Sequence, residues 1–145
     1  ACLQAGAGHQ PCMKSPRHAF TLQLEVRDYE CDQQGIVNNA VYQHYLEHAR
    51  HQFLKSNGVV FAQLNQSGIY LVLVRAEVDY KAPLRGGDAF EVGLTMTRLS
   101  PVRIGFLQDI RRLPDRKLMV SSKFVCAAMN AQGRPIFPKV LEPFL

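Results

Sequence analysis

The chain has 145 residues, 47% hydrophobic and 20% charged with a formal net charge of +5, which fits one ordinary globular domain and is too short to divide convincingly in two. No apolar run approaches the roughly 18 residues needed to span a bilayer as a helix; the longest, IYLVLV at 69–74, is strand-sized. The four cysteines, Cys2, Cys12, Cys31 and Cys126, form no Cys-x-x-Cys pair and no zinc-like spacing with the five histidines, so neither a metal centre nor a disulfide framework is expected and a reducing compartment fits best.

Residues 1–18 contain no Asp or Glu, carry Lys14 and Arg17, and are rich in Ala, Gly and Pro. They read as a flexible arm, with the composition of an acid-poor organelle transit-peptide remnant or of a plain disordered tail. The folded domain is expected over 19–145. It opens with FTLQLEV, where Phe20, Leu22, Leu24 and Val26 alternate with Thr21, Gln23 and Glu25. A period of two predicts a half-buried strand.

A dense polar cluster, Asp32 to Asn39, interrupts that pattern. From Val41 onward, Tyr42, Leu46, Ala49 and Phe53 fall at i, i+4, i+7 and i+11, which predicts one long helix with an inward apolar stripe ending near Ser56-Asn57-Gly58. Asn38 or Asn39 is placed to cap it. The first turn of a helix leaves backbone N–H groups without intrahelical partners and carries partial positive charge, so this polar mouth is able to polarise a carbonyl and hold a developing oxyanion.

A short second helix is expected at 59–66. IYLVLVRAEVDYKAP then starts as a continuous apolar run and turns to alternation, predicting a long strand whose first half is covered on both faces. Pro83 and Gly86-Gly87 end it. Strands follow at Phe90–Met96, at VRIGFLQDIRR and at KLMVSSKFVCAAM, the last two separated by the turn-like LPDRK. Short turns cannot make parallel crossovers, so the pairing is expected to be antiparallel. The fold class is α+β: a single domain in which a twisted antiparallel sheet wraps one long central helix.

That arrangement is the hot-dog architecture, and Asp-x-x-Gly-Ile-Val-Asn-Asn-Ala-x-Tyr from Asp32 to Tyr42 resembles the active-site segment of hot-dog thioesterases of the 4-hydroxybenzoyl-CoA thioesterase type. VRDYECDQQGIVNNAVYQHYLEHAR and YKAPLRGGD are most similar to the plant and algal acyl-lipid thioesterases, and the resemblance covers residues 20–140. It implies hydrolysis of fatty acyl or 3-oxoacyl thioesters of acyl carrier protein, or of coenzyme A, in the plastid stroma. No cofactor is implied.

The resemblance assigns Asp32 as the catalytic carboxylate, attacking the thioester or activating a water, and the backbone N–H of Asn39 as the polarising donor. Gly35 would permit close approach of substrate and backbone. Gln34 and Asn38 can orient water or substrate, although turn and cap chemistry explains them nearly as well. Larger two-domain plant acyl-carrier-protein thioesterases carry Asn and His where this chain has Gln34 and Ile36, so their fuller catalytic set does not transfer.

Glu47 is spaced to pair with Arg50 or His51, or to serve as an assisting carboxylate. His44 and His48 have metal-like i, i+4 spacing but no third acidic ligand nearby. Cys31 reads as a small buried side chain rather than a nucleophile. The tyrosines, Tyr42 among them, Phe53 and the IYLVLV strand are candidate walls for an acyl tunnel, although core packing uses the same residues and explains most of them.

Residues 98–123 hold seven basic residues against two acids, a surplus of five that equals the net charge of the whole chain. Such a stretch is most often a solvated face. Beside the resemblance, Arg98, Arg103, Arg111 and Arg112 become docking candidates for phosphates of a phosphopantetheine donor or for acids of a carrier protein. No nucleic-acid motif accompanies the charge. Sites at subunit interfaces, in a homodimer or homotetramer, are implied by the resemblance. A hot-dog dehydratase and a non-catalytic acyl-binding scaffold are the alternatives; the first would need a catalytic His, and none lies between Asp32 and Asn39.

Overall fold

A computed structural model describes residues 19–145, so the arm over 1–18, with its targeting reading, lies outside the described residues. The elements are β1 (Phe20–Glu25), α1 (Asn39–Ser56), α2 (Phe61–Gln66), β2 (Ile69–Tyr80), β3 (Ala89–Ser100), β4 (Arg103–Arg112), β5 (Leu118–Asn130) and the short β6 (Pro135–Ile136). Single 3-10 turns occupy Asp28–Glu30 and Lys139–Phe144.

The sheet runs in the order β1-β3-β4-β5-β2, with β6 against β5, and every pairing is antiparallel. Strands β3, β4 and β5 form a meander because their turns are short. Strand β1, ahead of the helix, adds to the β3 edge, and β2, just after the helices, adds to the β5 edge. The expected hot-dog arrangement is the one observed.

The helix lies on the face of the sheet where the alternating residues converge. Phe90, Val92 and Leu94 of β3, Ile104, Phe106 and Ile110 of β4 and Phe124 of β5 are buried on that side. The predicted stripe of Tyr42, Leu46, Ala49 and Phe53 faces them, joined by Tyr45, Arg50 and Leu54. At its C-terminal end, Asn57 N–H closes on the carbonyls of Leu54 and Lys55, and Gly58 takes the left-handed φ of 80° that stops the helix. No helix among the described residues is long and apolar enough to cross a membrane.

The expectation for the first half of β2 needs correction. Tyr70, Leu73 and Val74 are 40%, 49% and 43% exposed, not covered on both faces. The cause is topological: β2 is an edge strand with one hydrogen-bonded neighbour, and a bulge between Leu73 and Arg75 leaves Val74 outside the ladder.

Leu46 is fully buried at the centre of the helix stripe. Leu46→Ala is expected to lower the unfolding free energy by about 2–5 kcal/mol, measured by urea denaturation, because the rigid sheet cannot collapse into the cavity.

Candidate active site at the N-terminus of the long helix

The chain approaches α1 through a tight loop. Asp32 N–H donates to Ile36 O at 2.8 Å and Gly35 N–H to Asp32 O at 3.0 Å, and the turn holds Gly35 at φ 77°. A β-substituted residue is strained at that angle. The loop is fixed to the segment after β2 by Val37 N–H on Leu84 O at 2.9 Å and by a bridge between Ile36 and Arg85. Asn38 N–H reaches back to Glu30 O at 3.1 Å.

Two side chains then decide what the helix mouth offers. Asn38 is the cap: its Oδ1 accepts from Ala40 N–H at 3.0 Å and its carbonyl accepts from Val41 N–H at 2.9 Å. Asn39 N–H, between those bonds, has no acceptor among the described residues. Asp32 Oδ1 accepts from Gln34 N–H at 2.8 Å and, weakly, from Ile36 N–H at 3.4 Å. Those bonds orient the carboxylate and leave Oδ2 without a donor among the described residues.

Asp32, Asn38, Asn39 and Tyr42 line one side of a cavity of about 410 Å³, with Tyr80 to Pro83 on the other. Tyr42 is buried, and its hydroxyl accepts from Leu84 N–H at 2.8 Å. Burial pushes that phenol above its ordinary pKa, so it stays neutral at physiological pH. Tyr80 O–H donates to Asn39 O at 3.2 Å, and its ring meets Tyr42 edge to face at 5.6 Å. The cavity thus has aromatic walls, one free helix amide and one open carboxylate oxygen.

Residues 26–144 match the family model of the Thioesterase-like superfamily. The chain belongs to that superfamily. It is 39% identical over 114 residues to the acyl-acyl carrier protein thioesterase ATL2, chloroplastic, of Arabidopsis thaliana, covering 79% of this chain and 61% of the plant protein, so it spans less than two thirds of that relative's length. It is 41% identical over 123 residues to a putative esterase of Aquifex aeolicus, covering 85% of this chain and 95% of that protein. A 1,4-dihydroxy-2-naphthoyl-CoA thioesterase from Synechocystis has the same hot-dog fold, with a TM-score of 0.81 at 22% identity over 85% of this chain and 92% of that one.

Within this member of the superfamily, the other candidate residues separate. Gly35 belongs to the loop rather than to the cavity wall; a Cβ there would meet nothing within 4 Å, and its need is conformational. Gln34 is exposed and contributes its backbone N–H to Asp32. Glu47 lies eight residues beyond Asn39, about 12 Å along the axis, and faces His51 Nε2 at 3.8 Å. His44 and His48 are exposed on α1.

The basic stretch does not form one patch. Arg111 and Arg112 lie at the opposite end of β4 from Arg103. Arg111 Nε faces Asp109 Oδ2 at 3.4 Å, Arg112 holds Asp115 through two bonds of 3.1 and 2.6 Å, and Arg116 reaches Glu91 at 3.2 Å. Arg98 donates to the carbonyls of Ser100 and Pro101 and stacks on Phe137 at 3.8 Å. Sequence counting assigned Glu91 to another segment, so the local surplus looked larger than the folded charge. Arg103 and Lys123 are exposed with no ion-pair partner among the described residues.

Sequence reasoning missed Lys81 as a cavity residue and did not single Tyr80 out from the other tyrosines. Their signal was the segment YKAPLRGGD, whose place opposite the helix mouth depends on long-range pairing. Tyr42→Phe is expected to cost about 1–3 kcal/mol in urea denaturation by leaving the buried Leu84 N–H without its acceptor. Tyr80→Phe, at an exposed site, is expected to cost less than about 1 kcal/mol.

Proposed function

We propose that the chain hydrolyses acyl thioesters in this cavity. The observation that supports the reading best is the meeting of a free Asn39 N–H with an open Asp32 carboxylate oxygen on one aromatic-walled cavity. The thioester carbonyl oxygen accepts from Asn39 N–H, where the helix terminus favours the charge that develops in the tetrahedral intermediate. Asp32 either attacks the carbonyl carbon, giving an acyl anhydride that water then opens, or takes a proton from an attacking water. Both routes expel the thiolate of the acyl carrier and release a free acid. Gln34 and Ile36 N–H hold Oδ1 in both, so Oδ2 is the reacting oxygen.

For the acyl donor we favour acyl carrier protein, in a plastid, from the likeness to the chloroplastic Arabidopsis enzyme, with fatty or 3-oxo fatty acids as products. Arg103 and Lys123, exposed and without an ion-pair partner among the described residues, are the candidates to meet an acidic carrier, since Arg111 and Arg112 are already ion-paired. Lys81, at the cavity, is a candidate for a phosphate of the pantetheine arm. Two copies pair through their exposed β2 edges, an antiparallel pairing centred near Val74 that extends the sheet and covers Leu73 and Val74.

The test is steady-state hydrolysis of carrier-linked and coenzyme A-linked acyl chains, with and without a 3-oxo group. Asp32→Asn keeps an acceptor for Gln34 N–H, so it is expected to fold normally while losing about 100-fold or more in kcat. Full turnover by the variant would move the chemistry away from Asp32, and absence of wild-type turnover would favour a binding scaffold. In sedimentation analysis the wild type is expected to be a dimer or a multiple of one, and Val74→Lys to shift it toward monomer; an unchanged distribution would reject β2 as the interface.

A further inference from the structure

A second cavity, of about 230 Å³, opens between the C-terminal half of α1 and strands β2, β4 and β5. Its walls include Leu54, Phe61, Leu71, Leu73, Ile104 and Phe106. Into this apolar space the protein places a guanidinium. Arg50 is only 8% exposed and lines the cavity.

The groups in contact with Arg50 are neutral, although Glu47, on the same cavity lining, acts on it through space. Nη1 donates to Gln108 Oε1 at 2.9 Å, and the guanidinium stacks 4.2 Å above the Phe124 ring. Gln108 is itself pinned, its Nε2 donating to Leu46 O at 2.9 Å, so its oxygen is turned to Arg50. Nε and Nη2 have no acceptor, and no carboxylate pairs with Arg50, among the described residues. Glu47 and His51 also line the cavity, each about half exposed, and face each other at 3.8 Å. Cys126 also lines the cavity, but burial pushes its thiol up, so it remains neutral and supplies no counter-charge.

Arginine does not shed its proton in a protein, and a buried cation without an anion is costly. Its five N–H groups form a fork that matches a carboxylate. A cavity with one buried fork and mostly apolar walls, in which the lining residues Glu47 and His51 already face each other, therefore selects a molecule with one anionic end and a hydrocarbon remainder. We propose that this cavity is a second binding site, separate from the one at the start of α1, for an aliphatic monocarboxylate whose carboxylate spans Arg50 Nε and Nη2. The hydrocarbon tail lies along Leu54, Phe61, Leu71 and Phe106. An acid released by thioester hydrolysis has this chemistry, but the site stands on Arg50 and its cavity alone.

The experiment uses octanoate as probe and 1-octanol as its uncharged counterpart. In protein labelled with 15N-arginine, octanoate is expected to shift the Nε–H resonance that disappears in Arg50→Met, while octanol leaves that resonance in place. By calorimetry, Arg50→Met is expected to weaken octanoate binding about 10- to 100-fold through loss of the charged hydrogen bonds. Should Arg50→Met not fold, as read by near-ultraviolet circular dichroism, Leu71→Phe keeps the charge but narrows the apolar end, and octanoate affinity is expected to fall there too. An Arg50 resonance unmoved by saturating octanoate, or moved equally by octanol, overturns the site. These readouts are of binding only, so a chain inactive on thioesters leaves them valid.

Discussion

A helix that begins beneath a sheet must leave its first amides somewhere, and where α1 leaves them governs much else in the molecule. Asn38 satisfies two donors, Ala40 through its side chain and Val41 through its carbonyl, and Asn39 N–H is left without an acceptor among the described residues. Such a group is tolerated only where solvent or a ligand reaches it. The loop ahead of the helix, the segment after β2 and the ring of Tyr42 are all arranged around that opening. Leu84 shows the connection: its carbonyl accepts from Val37 N–H and its N–H donates to Tyr42, so one residue after β2 fixes both the loop and the first turn of α1.

The sheet supplies the rigidity this placement needs. With β3, β4 and β5 in an antiparallel meander, the inner face presents Phe90, Leu94, Ile104, Ile110 and Phe124 as a bed for the helix. Close packing of such a bed resists small shifts of the helix axis, which would carry Asn39 away from Asp32. The polar exception within the bed is Gln108, which ties Leu46 O to Arg50. It places a cation deep in the structure and away from the helix mouth, so the two ends of α1 present different chemistry: an open carboxylate and a free amide at one, a buried guanidinium at the other.

Much of this was legible in the chain because its signals are local. Period-two alternation in Phe20–Val26 and Phe90–Met96 and the stripe through Tyr42, Leu46, Ala49 and Phe53 mark their elements directly. The loop chemistry of Asp32 and Gly35 and the cap at Asn38 also follow from neighbours a few residues away. What stayed hidden depends on distant pairing. The partner of Arg116 is Glu91, twenty-five residues earlier, and no count over a window could include it. Tyr80 reaches the helix mouth only because β2 takes the outer edge beside β5. The same edge position exposes Leu73 and Val74, which the apolar run alone did not reveal.

The proposed hydrolysis depends most on the amide of Asn39, which no side-chain substitution removes. Replacing residue 39 with its α-hydroxy acid exchanges that N–H for an ester oxygen, and single-turnover hydrolysis of an acyl thioester then reads its contribution. The prediction is a loss of about 100- to 1000-fold in the chemical step, with unfolding free energy changed by less than about 1.5 kcal/mol because the N–H has no acceptor to lose among the described residues. Hydrolysis at the wild-type rate by the ester variant would contradict the account and place the oxyanion elsewhere.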